Sequence, residues 1–169
     1  MHANILFNVY KDGYRKAGVA QVDLPSLNAI TAELKGAGIA GALDLPIKGL
    51  FQAFGVTLNF RTITSDYASL LTPEAQHIEL WSAVQDPDSA TGALNAKQHK
   101  FILRCVPKNQ TVGKLSVGEA QDRTLEFELT YYREIYDGND VIEIDKLNNI
   151  YRIAGVDQNS DIREAIGDI

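Results

Sequence analysis

Several patterns in the chain have residue types and spacings that would do chemistry on the right scaffold. Gly36-Ala37-Gly38-Ile39-Ala40-Gly41 has the G-x-G-x-x-G spacing of a dinucleotide-binding turn, where glycines let the backbone approach a pyrophosphate at a helix N-terminus. That chemistry needs a following helix and an acidic residue about 20 positions on, whereas Pro46 arrives within a few residues and the strands read as antiparallel. The segment is read instead as a flexible or interface loop. His77 and Glu79 form an H-x-E pair, as in zinc deaminases, but the P-C-x-x-C that completes the zinc site is missing and Cys105 is the single cysteine. Gly113-Lys114 lacks the upstream glycine and the following Ser or Thr of a phosphate loop. Asp86, Asp88 and Gly92 lack calcium-loop spacing. Of the histidines, His2, His77 and His99, none stands in a recognisable nucleophile context. Glu126 and Glu128 share one strand face and could form a carboxylate pair, although alternate residues on a polar face are ordinarily just solvated. Lys97, His99, Lys100 and Arg104 are the nearest approach to a basic cluster, too small to outweigh the acidic total. The expectation is a protein with no catalytic, cofactor-binding or metal site, and not an enzyme.

The elements that would carry these residues are dominated by a two-residue period. Phe54, Val56, Leu58 and Phe60 alternate with Thr57, Asn59 and Arg61, which puts one face in a core and leaves the other polar. Leu125, Phe127, Leu129 and Tyr131 repeat the pattern against Glu126, Glu128 and Thr130, and Phe101, Leu103 and Cys105 form a third strand. Ile5, Phe7 and Val9 suggest another, and a short one covers Val19 to Leu24. Asp12-Gly13 and Asp137-Gly138 supply the positive φ that tight hairpins require, and the second is expected to join the 124–136 strand to a partner over Val141 to Ile153. A helix is expected after Thr72, with Pro73 at its first position, Glu74 at the positive end of its dipole and Ile78, Trp81 and Val84 on one apolar stripe.

Two segments carry little regular signal. Residues 35–50 are glycine-rich yet hold Ile39, Leu43, Leu45, Ile47 and Leu50, and a loop with so many apolar side chains must bury them. A partner subunit would provide the surface. Residues 109–122 are polar, with Gly113 and Gly118, and read as an ordinary loop or mobile hairpin.

The chain has 169 residues, enough for one domain that buries roughly two thirds of the surface its unfolded form exposes. No repeat or domain boundary is visible, so residues 1–169 are expected to form a single domain. Hydrophobic residues at 45% and charged residues at 22% are ordinary for a globular chain, and no apolar run approaches the roughly 20 residues of a membrane-spanning helix. The N-terminus shows no secretory signal, and the mature chain is expected to begin there. One cysteine excludes an intramolecular disulfide. A net charge of −6 opposes tight nucleic-acid binding, which needs clustered cations.

Asn8-Val9-Tyr10 with Asp12-Gly13, Gly18-Val19, Leu24-Pro25-Ser26-Leu27, the 35–41 glycine segment and Leu129-Thr130-Tyr131-Tyr132 follow one another in a distinctive order. With Ile142-Glu143-Ile144-Asp145, Asn148, Ala154-Gly155-Val156-Asp157, Ile162-Arg163 and Ile166-Gly167 they cover nearly the whole chain. In that order they resemble the major tail tube protein family of contractile-tailed phages and R-type tailocins. The resemblance implies a mainly β fold (α+β), two packed antiparallel sheets in a sandwich or barrel-like form with one flanking α-helix and long assembly loops. It implies a structural subunit of the virion tail, made in the host cytoplasm, whose hexameric rings stack into a tube within a sheath. Its partners would be further copies of itself, the tail sheath protein, a baseplate or tube initiator and the tape measure protein, with DNA passing through unbound and no membrane or cofactor involved. Gly36, Gly38, Ile39, Gly41, Leu43, Leu45 and Ile47 would then form a subunit-interface loop, and Thr57, Asn59, Glu126 and Glu128 would face the lumen. A monomeric β-barrel binding a small apolar ligand is the competing expectation; it accounts for the alternating strands but leaves the apolar 36–50 segment unexplained.

Overall fold

Alternation of apolar and polar residues sets nearly every element of the chain. In the computed structural model, which describes residues 2–168 and only the backbone of Arg15, Val19 and Ala20, all strand pairings are antiparallel. Met1, part of the N-terminal reading above, lies outside the described residues, as does Ile169. The strands are β1 (Ala3–Lys11), β2 (Arg15–Ala17), β3 (Val19–Asp23), β4 (Ala29–Leu34), β5 (Leu43–Phe51), β6 (Gly55–Phe60), β7 (Gln76–Pro87), β8 (Leu94–Thr111), β9 (Arg123–Tyr136), β10 (Asn139–Asp145), β11 (Ile150–Ile153) and β12 (Val156–Asp157). Two short helices, α1 (Ser65–Leu70) and α2 (Ser160–Ala165), complete the described elements.

Ten strands make one sheet in the order β12-β11-β10-β9-β8-β7-β1-β2, with β6 and β3 branching from β9, while β4 and β5 form a separate two-stranded sheet. The branch is possible because β9 divides one edge between two partners. Residues 123–128 pair with β6 and residues 131–136 with β10, while β8 runs along the opposite edge. At the changeover the Leu129 N–H donates to the Phe54 carbonyl (3.0 Å) and the Lys146 N–H to the Thr130 carbonyl (3.1 Å), so the backbone stays paired. The β8–β9 register shifts between Arg104 and Cys105 beside this point, a bulge of the kind that bends a strand. Val56, Leu58 and Phe60 from β6, Ile78 from β7, Leu103 from β8 and Phe127 from β9 meet in one cluster, each almost wholly removed from water. Burial of each contributes about 1.5–3 kcal/mol. Gly55 lies so close to β9 that a Cβ would sit 2.4 Å from the Phe127 carbonyl oxygen, which explains a glycine inside that strand.

The hairpins at Asp12-Gly13 and Asp137-Gly138 form as expected, and Asp137 (φ 50°) and Gly138 (φ 79°) both adopt the positive φ of a two-residue turn closed by Tyr136 and Asn139. Three expectations are corrected. The segment after Thr72 is not a helix: Gln76, Ile78, Leu80 and Val84 point inward in a strand, and His77, Glu79 and Trp81 point outward. Its backbone is paired with β1 on one side and β8 on the other, and those two ladders outweigh the local helix-start signal of Thr72-Pro73-Glu74. The helix on the core is α1, whose Thr64 hydroxyl oxygen accepts from the Tyr67 N–H (3.3 Å) and whose Tyr67 and Leu70 are buried. A six-residue helix persists through that burial, and a second short helix replaces the single one expected. The segment expected to pair with the 124–136 strand as far as Ile153 is two strands: β10 pairs with β9, and the chain then turns back as β11 along the far edge of β10. The Asp145 carboxylate accepts from the Leu147 and Asn148 N–H groups and turns the chain between β10 and β11.

Residues 35–50 are likewise not a loop throughout. Leu43, Leu45 and Ile47 alternate with Asp44, Pro46 and Lys48 in β5, a period-two pattern obscured in the sequence by Pro46 and Gly49. β5 pairs with β4 alone, and a proline is tolerated on a strand with a free edge. Of residues 109–122, read from the sequence as a loop, 109–111 instead complete β8, and 112–122 form the loop between β8 and β9.

Phe127→Ala is expected to cost about 3–5 kcal/mol, measured as a lowered denaturant midpoint. Leu45→Ala, at a position 47% exposed, is expected to change the stability of the isolated subunit by no more than about 0.5 kcal/mol.

Candidate assembly surfaces

The β4–β5 hairpin is an arm with its own register: Thr31 lies opposite Pro46, Ala32 opposite Leu45, Glu33 opposite Asp44 and Leu34 opposite Leu43. Two strands alone are marginal in water, and this pair leaves Ile30, Leu34, Leu43, Leu45, Ile47 and Leu50 exposed. At its tip the Ile39 N–H donates to the Gly36 carbonyl (3.3 Å) and the Gly41 N–H to the Ile39 carbonyl (3.0 Å). Gly38 (φ 93°) and Gly41 (φ 113°) take backbone angles that side chains disfavour, and nothing lies within 4 Å of where a Cβ would stand on either, or on Gly36. The tip is therefore open, and β4 leads through it into β5 with no helix to receive a pyrophosphate.

The base of the arm is held firmly. Lys48 Nζ lies 2.7 Å from the Asp161 carboxylate at the start of α2. The Phe51 ring meets Tyr151 edge-on at 5.0 Å, and Lys146 Nζ donates to the Gln52 carbonyl (2.9 Å) while lying 4.1 Å from the Phe54 ring centroid. Gly49 (φ 77°) passes against buried Asn159, whose Oδ1 would lie 2.5 Å from a Cβ there. These contacts tie the arm to the β10–β11 turn, β11 and α2 and leave its distal half exposed.

The four residues expected on one polar face are brought together. Thr57 stands opposite Glu126 and Gly55 opposite Glu128, with Asn59 two residues along β6 opposite Thr124. β3 adds Asp23 opposite Thr57 and Gln21 opposite Asn59. Lys108 on β8 approaches Glu128 (3.8 Å) and Glu126 (4.0 Å), and Asn109 Nδ2 donates to Glu126 (3.2 Å). The face is acidic but partly offset by that lysine, and its half-exposed carboxylates have the setting of solvated groups.

The other residues singled out in the sequence are engaged in structure. His77 lies 3.5 Å and Lys100 3.7 Å from Glu79, which also accepts from Trp81 Nε1 (3.3 Å). Lys97 pairs with Asp86 (2.7 Å), His99 with Glu134 (2.6 Å), and the Arg104 guanidinium stacks 4.7 Å over Tyr131. The basic residues of β8 are thus spread over neighbouring ion pairs and do not form a common patch. The Lys97 ammonium holds the Asp86 carboxyl below its ordinary range. Asp88 accepts from the Ala90 N–H (2.8 Å) within the β7–β8 turn. Cys105 is buried, and loss of solvation pushes its thiol up to about 12, the opposite of an activated nucleophile. Among the described residues no group of three or more His, Cys, Asp or Glu side chains could hold a metal ion. Two surfaces escaped the sequence reading: the apolar residues of the 112–117 loop and those of β1 around Leu6. Both lie in stretches without long apolar runs, and only their exposure makes them visible.

A family model described as phage tail tube protein FII matches residues 5–167. The tail tube protein of Escherichia phage P2 is 28% identical over 167 residues, covering 96% of this chain and 95% of that protein. The fold is similar to a chain of the PVC sheath-tube complex, an extracellular contractile injection system in its extended state, with TM-score 0.50, 15% identity and coverage of 77% of this chain and 86% of that one. It is also similar to a chain of the anti-feeding prophage baseplate, reconstructed with 6-fold symmetry, with TM-score 0.50, 12% identity and coverage of 76% and 90%.

Asp161→Asn is expected to free Lys48 and speed amide hydrogen exchange over residues 43–50, with little change in the global unfolding midpoint. Lys48 holds the Asp161 carboxyl below the ordinary value, so this anchor is fully present above about pH 4 and is lost as pH falls through the lowered folded-state value. Protection factors in the arm, which correct for the intrinsic base catalysis of amide exchange, should therefore fall on acidification below about pH 4 and stay level from pH 5 to 8.

Proposed function

The chain belongs to the phage tail tube protein FII family, and from that membership we propose that its subunits close into hexameric rings which stack into the inner tube of a contractile tail. A tail tube protein is a structural subunit, not an enzyme. The observation that carries the reading is the β4–β5 arm: it is anchored at its base yet presents Leu43 (46% exposed), Leu45 and Ile47 to solvent, where none of the described residues covers them. The arm would bury these side chains on an adjacent subunit at about 25 cal/mol per Å² of apolar area. Gly36, Gly38, Ile39 and Gly41 at its tip would allow close backbone approach.

Open strand edges support the same reading. Among the described residues, 3–8 of β1 pair with β7 alone, and β3 pairs with β6 alone. Such edges invite pairing with another chain. Closure around an axis would turn that liability into assembly, and the sixfold count accords with the symmetry of the anti-feeding prophage baseplate. The PVC relative is a component of a sheath-tube complex, which supports a surrounding sheath here. A baseplate or initiator would seed the tube, and a tape measure protein would occupy it during assembly. Thr57, Asn59, Glu126 and Glu128 would line the lumen. Their acidic excess, within a chain of net charge −6, would repel passing DNA over roughly 8 Å at physiological salt and keep it from sticking.

Electron microscopy of concentrated protein seeded with a matching initiator should show rings and tubes; dispersed monomers would overturn the reading. The double variant Leu43→Asp/Ile47→Asp should keep the circular dichroism of the folded subunit and lose assembly at least tenfold. Glu126→Lys with Glu128→Lys should leave tubes able to form while slowing DNA transit, and unchanged ejection would place those glutamates elsewhere than the lumen.

A further inference from the structure

The β4–β5 arm is not one straight ladder. Thr31 stands opposite Pro46 and Ala29 opposite Phe51, so residues 47–50 of β5 lie opposite Ile30 alone. Extra residues on one strand break the pairing locally and bend that strand. The distal ladder, from Thr31–Pro46 out to Leu34–Leu43, is therefore joined to the body through this bulge on one strand and through Ile30 on the other. Whatever fixes the bulge fixes where the distal ladder points.

Gly49 lies in the bulge at φ 77° and rests on Asn159. A Cβ on Gly49 would lie 2.5 Å from Asn159 Oδ1, 2.8 Å from Nδ2 and 2.9 Å from Cγ, so the whole amide group is pressed against the glycine. Glycine is required there both for its backbone angle and for that approach. A cavity of about 170 Å³ adjoins the contact, with Gly49, Leu50 and Phe51 on the arm side and Asn159 on the body side. Without the amide, the bulge would have room to shift.

Asn159 is the N-cap residue of α2, a position where an asparagine oxygen ordinarily accepts from the N–H of the second or third helical residue. Thr64 does this for Tyr67 in α1 (3.3 Å). Asn159 makes no such bond, and the Ile162 N–H donates instead to Asp161 (2.9 Å). Asn159 is only 4% exposed, and its Oδ1 has no hydrogen-bond partner among the described residues. A buried amide oxygen without a donor is costly. That cost, carried at a position where capping would relieve it, directs attention to the contact the side chain does make, with Gly49. The neighbouring Lys48–Asp161 pair joins two exposed side chains, which restrain a distance but not an angle. The packed amide restrains both.

We propose that Asn159 is the positioning residue of the arm: its amide, wedged beneath Gly49 in place of capping α2, sets the direction in which the distal β4–β5 ladder projects toward an adjacent subunit. The proposal rests on the tube reading above and names the residue that prepares the arm for it.

Spin labels at Asp44→Cys on the arm and Leu147→Cys on the body, both exposed positions, report that direction as an electron–electron distance distribution, while buried Cys105 stays unlabelled. In this labelled parent the distribution should be narrow. Asn159→Ala should broaden it at least twofold without lowering the global unfolding midpoint, and should raise the protein concentration needed for seeded tube formation at least tenfold. Asn159→Ser, which restores a capping oxygen but not the amide, should behave like Asn159→Ala; a parent-like distribution from the serine variant would assign Asn159 to capping and overturn the wedge. Gly49→Ala should displace the mean distance, and by less than half as much when Asn159→Ala is also present, because the added Cβ then has room. Equal displacement in both backgrounds, or an unbroadened distribution in Asn159→Ala, would also overturn the proposal. Tubes forming at the parent's concentration from a subunit with a broadened distribution would overturn its role in assembly. Absence of tubes from the parent protein would remove the tube reading, and the distance measurements on the isolated subunit would still decide the wedge.

Discussion

The structure depends on one constraint, that every strand needs partners for its backbone N–H and C=O groups along both edges. β9 meets it by giving one full edge to β8 and dividing the other between β6 and β10. That division lets a single sheet fold into two layers around the Phe127, Leu58 and Leu103 core without leaving a gap at the fork. The constraint is unmet at β1 before Val9, along the outer edge of β3 and along β5, each of which has a single neighbour over that stretch. The same chain that satisfies its interior so fully thus carries unsatisfied edges, the ones at which the proposed assembly would add further copies.

Rigidity and exposure are distributed to suit that role. A free two-stranded arm would sample many orientations and lose entropy on docking. Here the Lys48–Asp161 pair, the Phe51–Tyr151 contact and the Lys146 hydrogen bond to Gln52 fix the base, so the apolar half projects in a set direction before any partner arrives. The 112–118 loop is handled similarly by its neck at Gly113. In both cases the exposed apolar groups are presented by elements fixed at their base or neck.

Charge is arranged more locally than a net of −6 suggests. Glu79, Asp86, Glu134 and Asp140 each lie within reach of a basic side chain on a neighbouring position. Exposed pairs of this kind contribute little to stability, but each cancels much of its own local field. The face of β3, β6 and β9 differs: Lys108 serves both Glu126 and Glu128, and Asp23 lies on the neighbouring strand opposite Thr57, which concentrates the acidic excess in one place.

The strands, the two aspartate-glycine turns and the coexistence of buried and polar faces were legible in the amino-acid order, because side-chain alternation is a property of a few consecutive residues. The pairing of Thr57 with Glu126 follows once β6 and β9 are neighbours, and the sequence could supply the faces but not the neighbours. Gln76 to Pro87 shows the limit most plainly. A proline and a capping threonine argued for a helix, and Ile78, Trp81 and Val84 fitted its period, yet two flanking strands offered hydrogen bonds to the whole segment and the strand prevailed. The arm was visible as apolar residues without a home but not as a strand pair, since Pro46 and Gly49 blurred its period. The exposed apolar residues of the 112–117 loop and of β1 around Leu6 could not be told from buried ones in the amino-acid order, because their exposure exists only after long-range pairing has set the register. Local pattern therefore decided what each segment wants to bury, while tertiary pairing decided which burial the subunit completes by itself and which it leaves to another copy.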